Sequence, residues 1–379
     1  MDRAGTMIQN LTGDAAYWSF RPTPLPPEPA LSFDGETRQL LVDTSRALTN
    51  LERFALLIPS TELFISMYVR KEALLSSQIE GTQCTLEDVF DPELDVSANL
   101  DAGEVINYVN ATQFALERMQ SLPLCNRLLR ETHAVLMDGV RGEEKNPGEF
   151  RRSQNWIGAA GCALKDARYI PPNVDDMYTA LDALEAYINA DTPYSPLIDA
   201  ALIHYQFETI HPFLDGNGRI GRLLILLYFM EKSLLTAPVI YVSYFLKKNQ
   251  REYYDRISEV RRTGNYEQWV RFFLEAVNAA AIDAAETIWS LSELHNFSLE
   301  RLPVAKRQPD NLRRLFDYIE QHPIISIKRT ADDLSLSYNT VANAVKKLVA
   351  LGILHETTNA ARNRVYAYED YLAILRKDT

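Results

Sequence analysis

Apolar residues recur at three- and four-residue intervals from Gly35 to Leu235 with one sizeable break, and this periodicity is what most narrows the fold. Between Gly35 and Phe90, Leu40, Leu41, Ala47, Leu48 and Leu51, then Leu63, Met67, Val69, Leu74, Leu75 and Ile79, predict two or three helices. Further helices are predicted from Asp101 to Leu122, Leu124 to Val140, Val174 to Ala190, Ser195 to Ile210 and about Asn217 to Leu235. The break lies at Gly142 to Pro172, where Pro147, Gly148, Gly158, Gly161 and the Pro171-Pro172 pair stop any helix. Phe150, Trp156, Ile157, Tyr169 and Ile170 bracket those glycines, as the arms of a short hairpin would. Residues 21–29 hold five prolines and read as an extended arm. The fold class is therefore mainly α.

The helical pattern weakens around Pro303 and Pro309, with Arg301, Lys306 and Arg307 between His295 and Asp310, which places a boundary near 305. Beyond it follow a helix Leu312–Gln321, the β-like run Ile324 to Ile327, a helix Arg329–Leu334, a turn, a helix Tyr338–Leu351, and two β-like runs around a polar tip Thr358–Asn363. This order predicts a winged helix-turn-helix. Three parts result: an N-terminal arm and helices (1–100), a helical core (101–300) and the C-terminal domain (306–379).

Thirty-nine basic against 51 acidic residues leave a net charge of -12, the wrong sign for a chain that coats polyanions through bulk charge. Cys84, Cys125 and Cys162 form no Cys-x-x-Cys pair, so neither a disulfide framework nor a structural zinc site is expected. The longest apolar run, Leu223 to Met230, falls far short of the ~20 residues that cross a bilayer. Gln9, Asn10 and Asp14 stand where a signal peptide needs its apolar centre, so the chain is expected to begin in its mature form and to be cytoplasmic.

Chemistry concentrates in His211-Pro-Phe-Leu-Asp-Gly-Asn-Gly-Arg-Ile-Gly-Arg222. Pro212 ends one helix, and Gly216 and Gly218 flank Asn217 at the start of the next, where free N–H groups and the helix dipole favour an anion. Arg219 and Arg222, three apart, are expected to aim two guanidinium groups at the same end. Asp215 is a hard oxygen donor where a phosphate-bound magnesium ion would sit. His211 is the one group there expected to exchange a proton near neutral pH.

Other readings of these residues compete. Gly216-x-Gly218-x-x-Gly221 matches the dinucleotide fingerprint, but a helix precedes it and Tyr241 falls where an acidic residue is required about 20 positions later. Glu208-x-x-His211 is half of a di-iron carboxylate site with no second half in the chain. A plain helix cap, with a hydrogen-bonded His211 and solvated arginines, stays open on spacing alone.

With every constrained position filled, His211–Arg222 resembles the signature of the Fic family. Its relatives of this kind are adenylyltransferases that move AMP from ATP onto a Ser, Thr or Tyr hydroxyl of a target protein. The resemblance implies a Fic-type helical core, with His211 as general base and Asp215 as magnesium ligand. It also implies Gly216, Asn217, Gly218, Ile220 and Gly221 around the phosphates, and Arg219 and Arg222 as clamps on the nucleotide. Upstream, Ser76-Ser-Gln-Ile-Glu80-Gly81 resembles the inhibitory helix of relatives restrained from their N-terminal side. By that analogy Glu80 pairs with Arg222, Ser76 supports it, and Glu80 serves some relatives in removing AMP. Gly148 to Gly158 and Tyr169 to Pro172 look like the arms of the family's target-binding flap. Tyr253 and Tyr254 fall where relatives contact adenine. His204 reads as a core histidine.

The C-terminal domain raises a competing function, a transcriptional regulator with a vestigial core. Residues 310–379 carry ten basic and nine acidic residues, a net +1 that fits a protein-contact or dimerisation role better than DNA binding. ATP, magnesium and a hydroxyl-bearing target protein are the expected partners, while a homodimer and DNA stay open and no membrane is expected.

Overall fold

A computed structural model describes residues 3–55, 61–90, 99–159, 161–303, 311–358 and 364–377, with side chains throughout except at residues 14 and 61–68. The expected roles of Lys306, Arg307 and Pro309 in the linker, of Leu63 and Met67 in a helix face, and of the tip with Arg362 lie outside the described residues.

The chain opens with a hairpin that the prolines of 21–29 mask in the sequence, β1 (Gly5–Asn10) antiparallel to β2 (Tyr17–Pro22), with Gly5 opposite Pro22 and Asn10 opposite Tyr17. Arg21 and Pro22 thus belong to a strand. The remaining arm lies along the body, where Thr23 donates its N–H to Ala4 O and accepts from Gln206 Nε2.

Three helices follow, α1 (Gly35–Ala55), α2 (Thr61–Ile79) and α3 (Leu86–Phe90), then α4 (Leu100–Arg118), α5 (Asn126–Leu136) and α6 (Val174–Ile188). At the centre stand α7 (Pro196–Ile210) and α8 (Asn217–Glu231). Both are apolar around most of their circumference, and such helices belong inside a protein. Every residue of α7 after its initial proline is buried. Pro196 opens α7 where a missing N–H costs nothing, and Ser195 caps it by accepting from Leu197 N–H. Around this pair pack α2, α4, α5, α6 and the far longer α11 (Tyr266–Arg301), reached through α9 (Ser243–Lys248) and α10 (Gln250–Thr263).

Between α5 and α6 the expected hairpin is reduced to one antiparallel bridge, in which Ile157 and Tyr169 exchange both backbone hydrogen bonds at 2.8 and 3.0 Å. Pro171 and Pro172 have no N–H to donate, and Gly158 and Gly161 have no side chain to pack on a strand, so the ladder does not extend. Phe20 N–H donates to Ile170 O, so β2 braces this flap from behind.

The C-terminal part runs α12 (Asn311–Gln321), β3 (Ile324–Ser326), α13 (Ile327–Asp333), α14 (Tyr338–Ala350), β4 (His355–Glu356), β5 (Val365–Ala367) and α15 (Glu369–Arg376). Its sheet has the order β3-β5-β4. The closing helix α15 is not foreseen by the sequence reading; it packs on α11, while α12 packs on α2. Among the described residues no helix is long and apolar enough to cross a membrane.

Candidate active site

His211 ends α7 in the left-handed region, φ 51° and ψ 62°, its N–H donating to Phe207 O at 2.9 Å. Left-handed backbone is unfavourable for a residue with a Cβ, so surrounding contacts must hold it. They are numerous. Arg151 Nε and Asn155 Nδ2 both donate to His211 O at 3.1 Å, and Arg151 N–H donates to Pro212 O. Asn217 closes the loop on itself, accepting from Phe213 N–H and donating to Phe213 O at 2.8 Å each. Its side chain is therefore a clamp on the loop rather than a free ligand.

His133 supplies the floor. Its ring stacks on Phe213 at 3.8 Å, and Gly148 N–H donates to its Nδ1. A backbone N–H can only donate, so the proton of neutral His133 resides on Nε2 and is given to Asp215 O at 3.0 Å. Burial lowers its pKa to about 4, which keeps this tautomer in place. Sequence reasoning misses His133 because a lone histidine on an amphipathic helix carries no signal, and it meets Arg151 and Asn155 only as parts of the flap.

The loop opens into a cleft of about 610 Å³, within the size range of ligand pockets. Glu80, Glu208, His211, Gly218, Arg222 and Tyr254 line it together with Arg261 and the flap residues Trp156 to Ala159, Arg168 and Tyr169. His211 Nδ1 is buried and has no hydrogen-bond partner. Burial, with the charges of Arg261 and Arg151, pushes the His211 pKa down to about 3, so the imidazole is neutral over the working range instead of titrating near neutrality as the sequence reading expects. Arg261 lies 3.6 Å from the Tyr169 ring centre, and the Tyr169 hydroxyl donates to Thr209 O, which fixes the flap to the end of α7.

Residues 142 positions apart meet at the other wall. Arg222 Nη2 donates to Glu80 Oε1 at 2.7 Å and to Ser76 O, and Nε donates to Ser76 Oγ at 2.8 Å. A Cβ on Gly218 would fall 2.2 Å from Glu80 Oε1, so only glycine lets this pair rest on the start of α8. Gly216 caps α8 in the left-handed conformation, and the first intrahelical bond runs from Ile220 N–H to Gly216 O. The N–H groups of Asn217, Gly218 and Arg219 precede that bond, the usual anion-binding end of a helix.

Other expected site residues lie apart from the cleft. Arg219 does not share the direction of Arg222; it turns toward Glu104, 3.5 Å from Nη1, and Asp215, 3.9 Å from Nη2, while Nε and Nη1 make no hydrogen bond. Asp215 Oδ2 accepts from Lys145 Nζ at 2.6 Å. Burial works against its charge, yet Lys145 and the Gly216 N–H hold the carboxyl below its usual pKa. Ile220 is buried in the core, Gly221 lies beneath Glu208 Oε1, and Tyr253 is buried with its hydroxyl on His204 Nε2 at 2.9 Å, leaving Tyr254 as the tyrosine that faces the cleft. His204 also bonds Gly221 O at 2.8 Å, as a core histidine should. Among the described residues no three metal-ligating side chains cluster. A divalent ion at Asp215 would take most of its ligands from phosphates and water, which is how magnesium is usually held, and one carboxylate suits that donor set once Lys145 yields.

Residues 38–117 match the family model "Fic/DOC family N-terminal" and residues 123–229 match "Fic/DOC family". Sequences called protein adenylyltransferase Fic are similar: that of Culex quinquefasciatus is 32% identical over 199 residues, 52% of this chain and 34% of its own length. The Aedes aegypti protein is 31% identical over 199 residues, again 52% and 34%. The chain thus spans about a third of the length of these relatives. A Fic family protein from Desulfovibrio desulfuricans G20 has the same fold, at TM-score 0.56 and 21% identity, over 90% of this chain and 98% of that one. Helical, with one bridged flap in front of the loop that carries His211, the chain holds the two domains of the Fic/DOC family side by side.

Proposed function

We propose that this protein is an ATP-dependent protein adenylyltransferase, restrained by Glu80. The observation that carries the reading is a neutral His211 that lines a cleft also opening onto the N-terminus of α8, with its buried Nδ1 making no hydrogen bond of good geometry. A buried nitrogen without a partner is costly unless a ligand or reacting group completes it.

In the reaction, a Ser, Thr or Tyr hydroxyl of the target forms a bond to the α-phosphorus of ATP. The bond from that phosphorus to the oxygen of pyrophosphate breaks. The hydroxyl proton passes to the His211 imidazole, which is neutral and able to accept it. Nucleotide negative charge nearby raises the affinity of the ring for that proton. The N–H groups at the start of α8 and the arginines stabilise the charge that develops on the leaving group. Asp215 would hold the magnesium ion, whose bound form supplies charge neutralisation on the phosphates. Arg222 reaches those phosphates only after leaving Glu80 and Ser76. The bridge between Ile157 and Tyr169 leaves the flap backbone next to the cleft for a target segment. The helix and strand order of residues 311–377 supports a winged helix-turn-helix reading of the C-terminal part.

Incubation with ATP and magnesium should transfer label from α-labelled but not γ-labelled ATP to the protein itself or to a lysate protein. Label from the γ position alone would replace this reading with phosphoryl transfer.

A further inference from the structure

We propose that the C-terminal part of the chain clamps α2, the helix that carries Ser76 and ends just before Glu80, and so sets how firmly Arg222 is restrained. The inference rests on Glu80 acting as the restraint. Lys71, in the second half of α2, is 1% exposed, and a lysine is rarely buried unless its ammonium is met by a partner. Its Nζ donates to Lys377 O at 3.0 Å and stands 4.7 Å from the centre of the Tyr241 ring. Lys377 closes α15, so the carbonyl that Lys71 uses lies at the negative end of a helix. A buried charge on the restraining helix is thus met by the C-terminal part.

Side chains around that carbonyl hold it in place. Arg376 bonds Glu369 within α15 and Glu87 on α3, and Lys377 Nζ lies 3.3 Å from Glu286 and 3.7 Å from Asp283 on α11. Further along, the Tyr368 and Ser298 hydroxyls share a bond at 2.7 Å, Glu320 bonds His295 Nδ1 at 2.7 Å, and Gln321 O accepts from Arg70 Nη1 at 3.5 Å. Each of these ties joins polar groups that water also satisfies, as in contacts between domains that move relative to one another.

Helix α2 carries the effect to the active site. Glu72 accepts from the Ser243 N–H at 3.2 Å and from its hydroxyl, Ser76 and Glu80 hold Arg222, and Glu80 lies nine residues, about 13 Å of helix, beyond Lys71. With Lys377 O in place, Lys71 stays buried and α2 keeps the rotation that sets Glu80 on Arg222. When the C-terminal part moves off, the ammonium loses that acceptor and turns toward water, because a buried charge deprived of a partner is costly. The helix turns with it, and Glu80 leaves Arg222. Displacement of the C-terminal part is therefore a route to the active enzyme.

The whole chain with Arg376→Gln and Lys377→Gln together, and separately with Tyr368→Phe, tests this. Hydrogen exchange of the α2 amides from Lys71 to Ile79 should quicken. AMP transfer should rise about two- to thirtyfold, the usual reach of residues that couple two sites, with Tyr368→Phe at the low end. In a Glu80→Gly background the same substitutions should still quicken exchange but bring no further transfer. Circular dichroism should stay unchanged, and Tyr368→Phe, which removes a single hydroxyl, decides the matter where the double variant does not fold. Unchanged α2 exchange would overturn the clamp. So would faster exchange without more transfer where Glu80→Gly itself brings a gain, or a full gain once Glu80 is absent. If Glu80→Gly alone brings no gain, the restraint by Glu80 is what fails, and α2 exchange still decides whether the C-terminal part holds that helix.

Discussion

His204 and His211 stand seven residues apart on one helix, and in both burial pushes the imidazole pKa down to about 3. They differ in company. His204 is fully buried and uses both ring nitrogens, on Gly221 O and the Tyr253 hydroxyl, whereas His211 keeps part of its ring on the cleft and its Nδ1 has no partner. The arginines differ in place as well, since Arg222 lines the cleft and is held by Ser76 and Glu80, while Arg219 lies away from it beside Glu104. Burial alone does not mark chemistry. An unmet hydrogen-bonding group next to a cleft does, because a folded chain keeps such a cost only where a ligand or a reaction removes it.

The largest expected effect breaks the comparison at its reactive end. His211→Ala should lower AMP transfer by about 10²–10⁴-fold, the usual worth of a positioned general base, while the melting temperature stays nearly unchanged. Undiminished labelling would remove His211 from the chemistry. At the structural end the pattern should reverse: His204→Ala leaves Gly221 O and the Tyr253 hydroxyl unpaired in the core and should cost roughly 2–4 kcal/mol by chemical denaturation. A stable His204→Ala protein with no transfer would make His204 part of the site.

The sequence shows this contrast only in part. His211 to Arg222 is legible because one contiguous run holds the base, the turn and the helix start. His204 is legible because its position on a helix that is apolar around most of its circumference puts it in the core. The Glu80 to Arg222 contact spans 142 residues, and periodicity places each on a helix without saying which helices touch. Asn217 has a second role of the same hidden kind: its N–H belongs to the helix start that the sequence shows, while only the two bonds to Phe213 reveal that its side chain clamps the loop. The β1–β2 hairpin and the buttress of His133, Arg151 and Asn155 are fixed by tertiary partners that no local pattern names.

Freeing Arg222 from its partners should sharpen the comparison. A charge-assisted hydrogen bond contributes roughly 1.5–3 kcal/mol net, so Glu80→Gly should raise transfer about ten- to hundred-fold. Arg222→Ala should lower transfer, and in that background Glu80→Gly should bring no gain. A full gain without the arginine would show that Glu80 restrains the enzyme through another contact.

The smallest effect separates the buried histidines from the buried carboxyls by pH. With folded pKa values near 3 against about 6.5 when unfolded, His204 and His211 take up protons only on unfolding between those limits. There the unfolded state binds more protons, so their contribution to stability is present above about pH 6.5 and is lost as pH falls toward 3. Burial acts oppositely on Glu72 and Glu208, raising each to about 7 against roughly 4.3 for an unfolded glutamate. Between those values the folded state holds more protons, so their contribution is present at acid pH and is lost as pH rises toward 7. The two trends oppose each other from about pH 4.3 to 6.5 and leave a shallow stability curve there. Glu208→Gln removes one carboxyl from this balance and keeps its volume. Denaturation midpoints across that window should then rise with pH more steeply than in the wild type, by up to one proton, or about 1.4 kcal/mol per pH unit. An unchanged slope would mean that Glu208 is already ionised in the folded protein, and that its unpartnered Oε1 over Gly221 carries a charge.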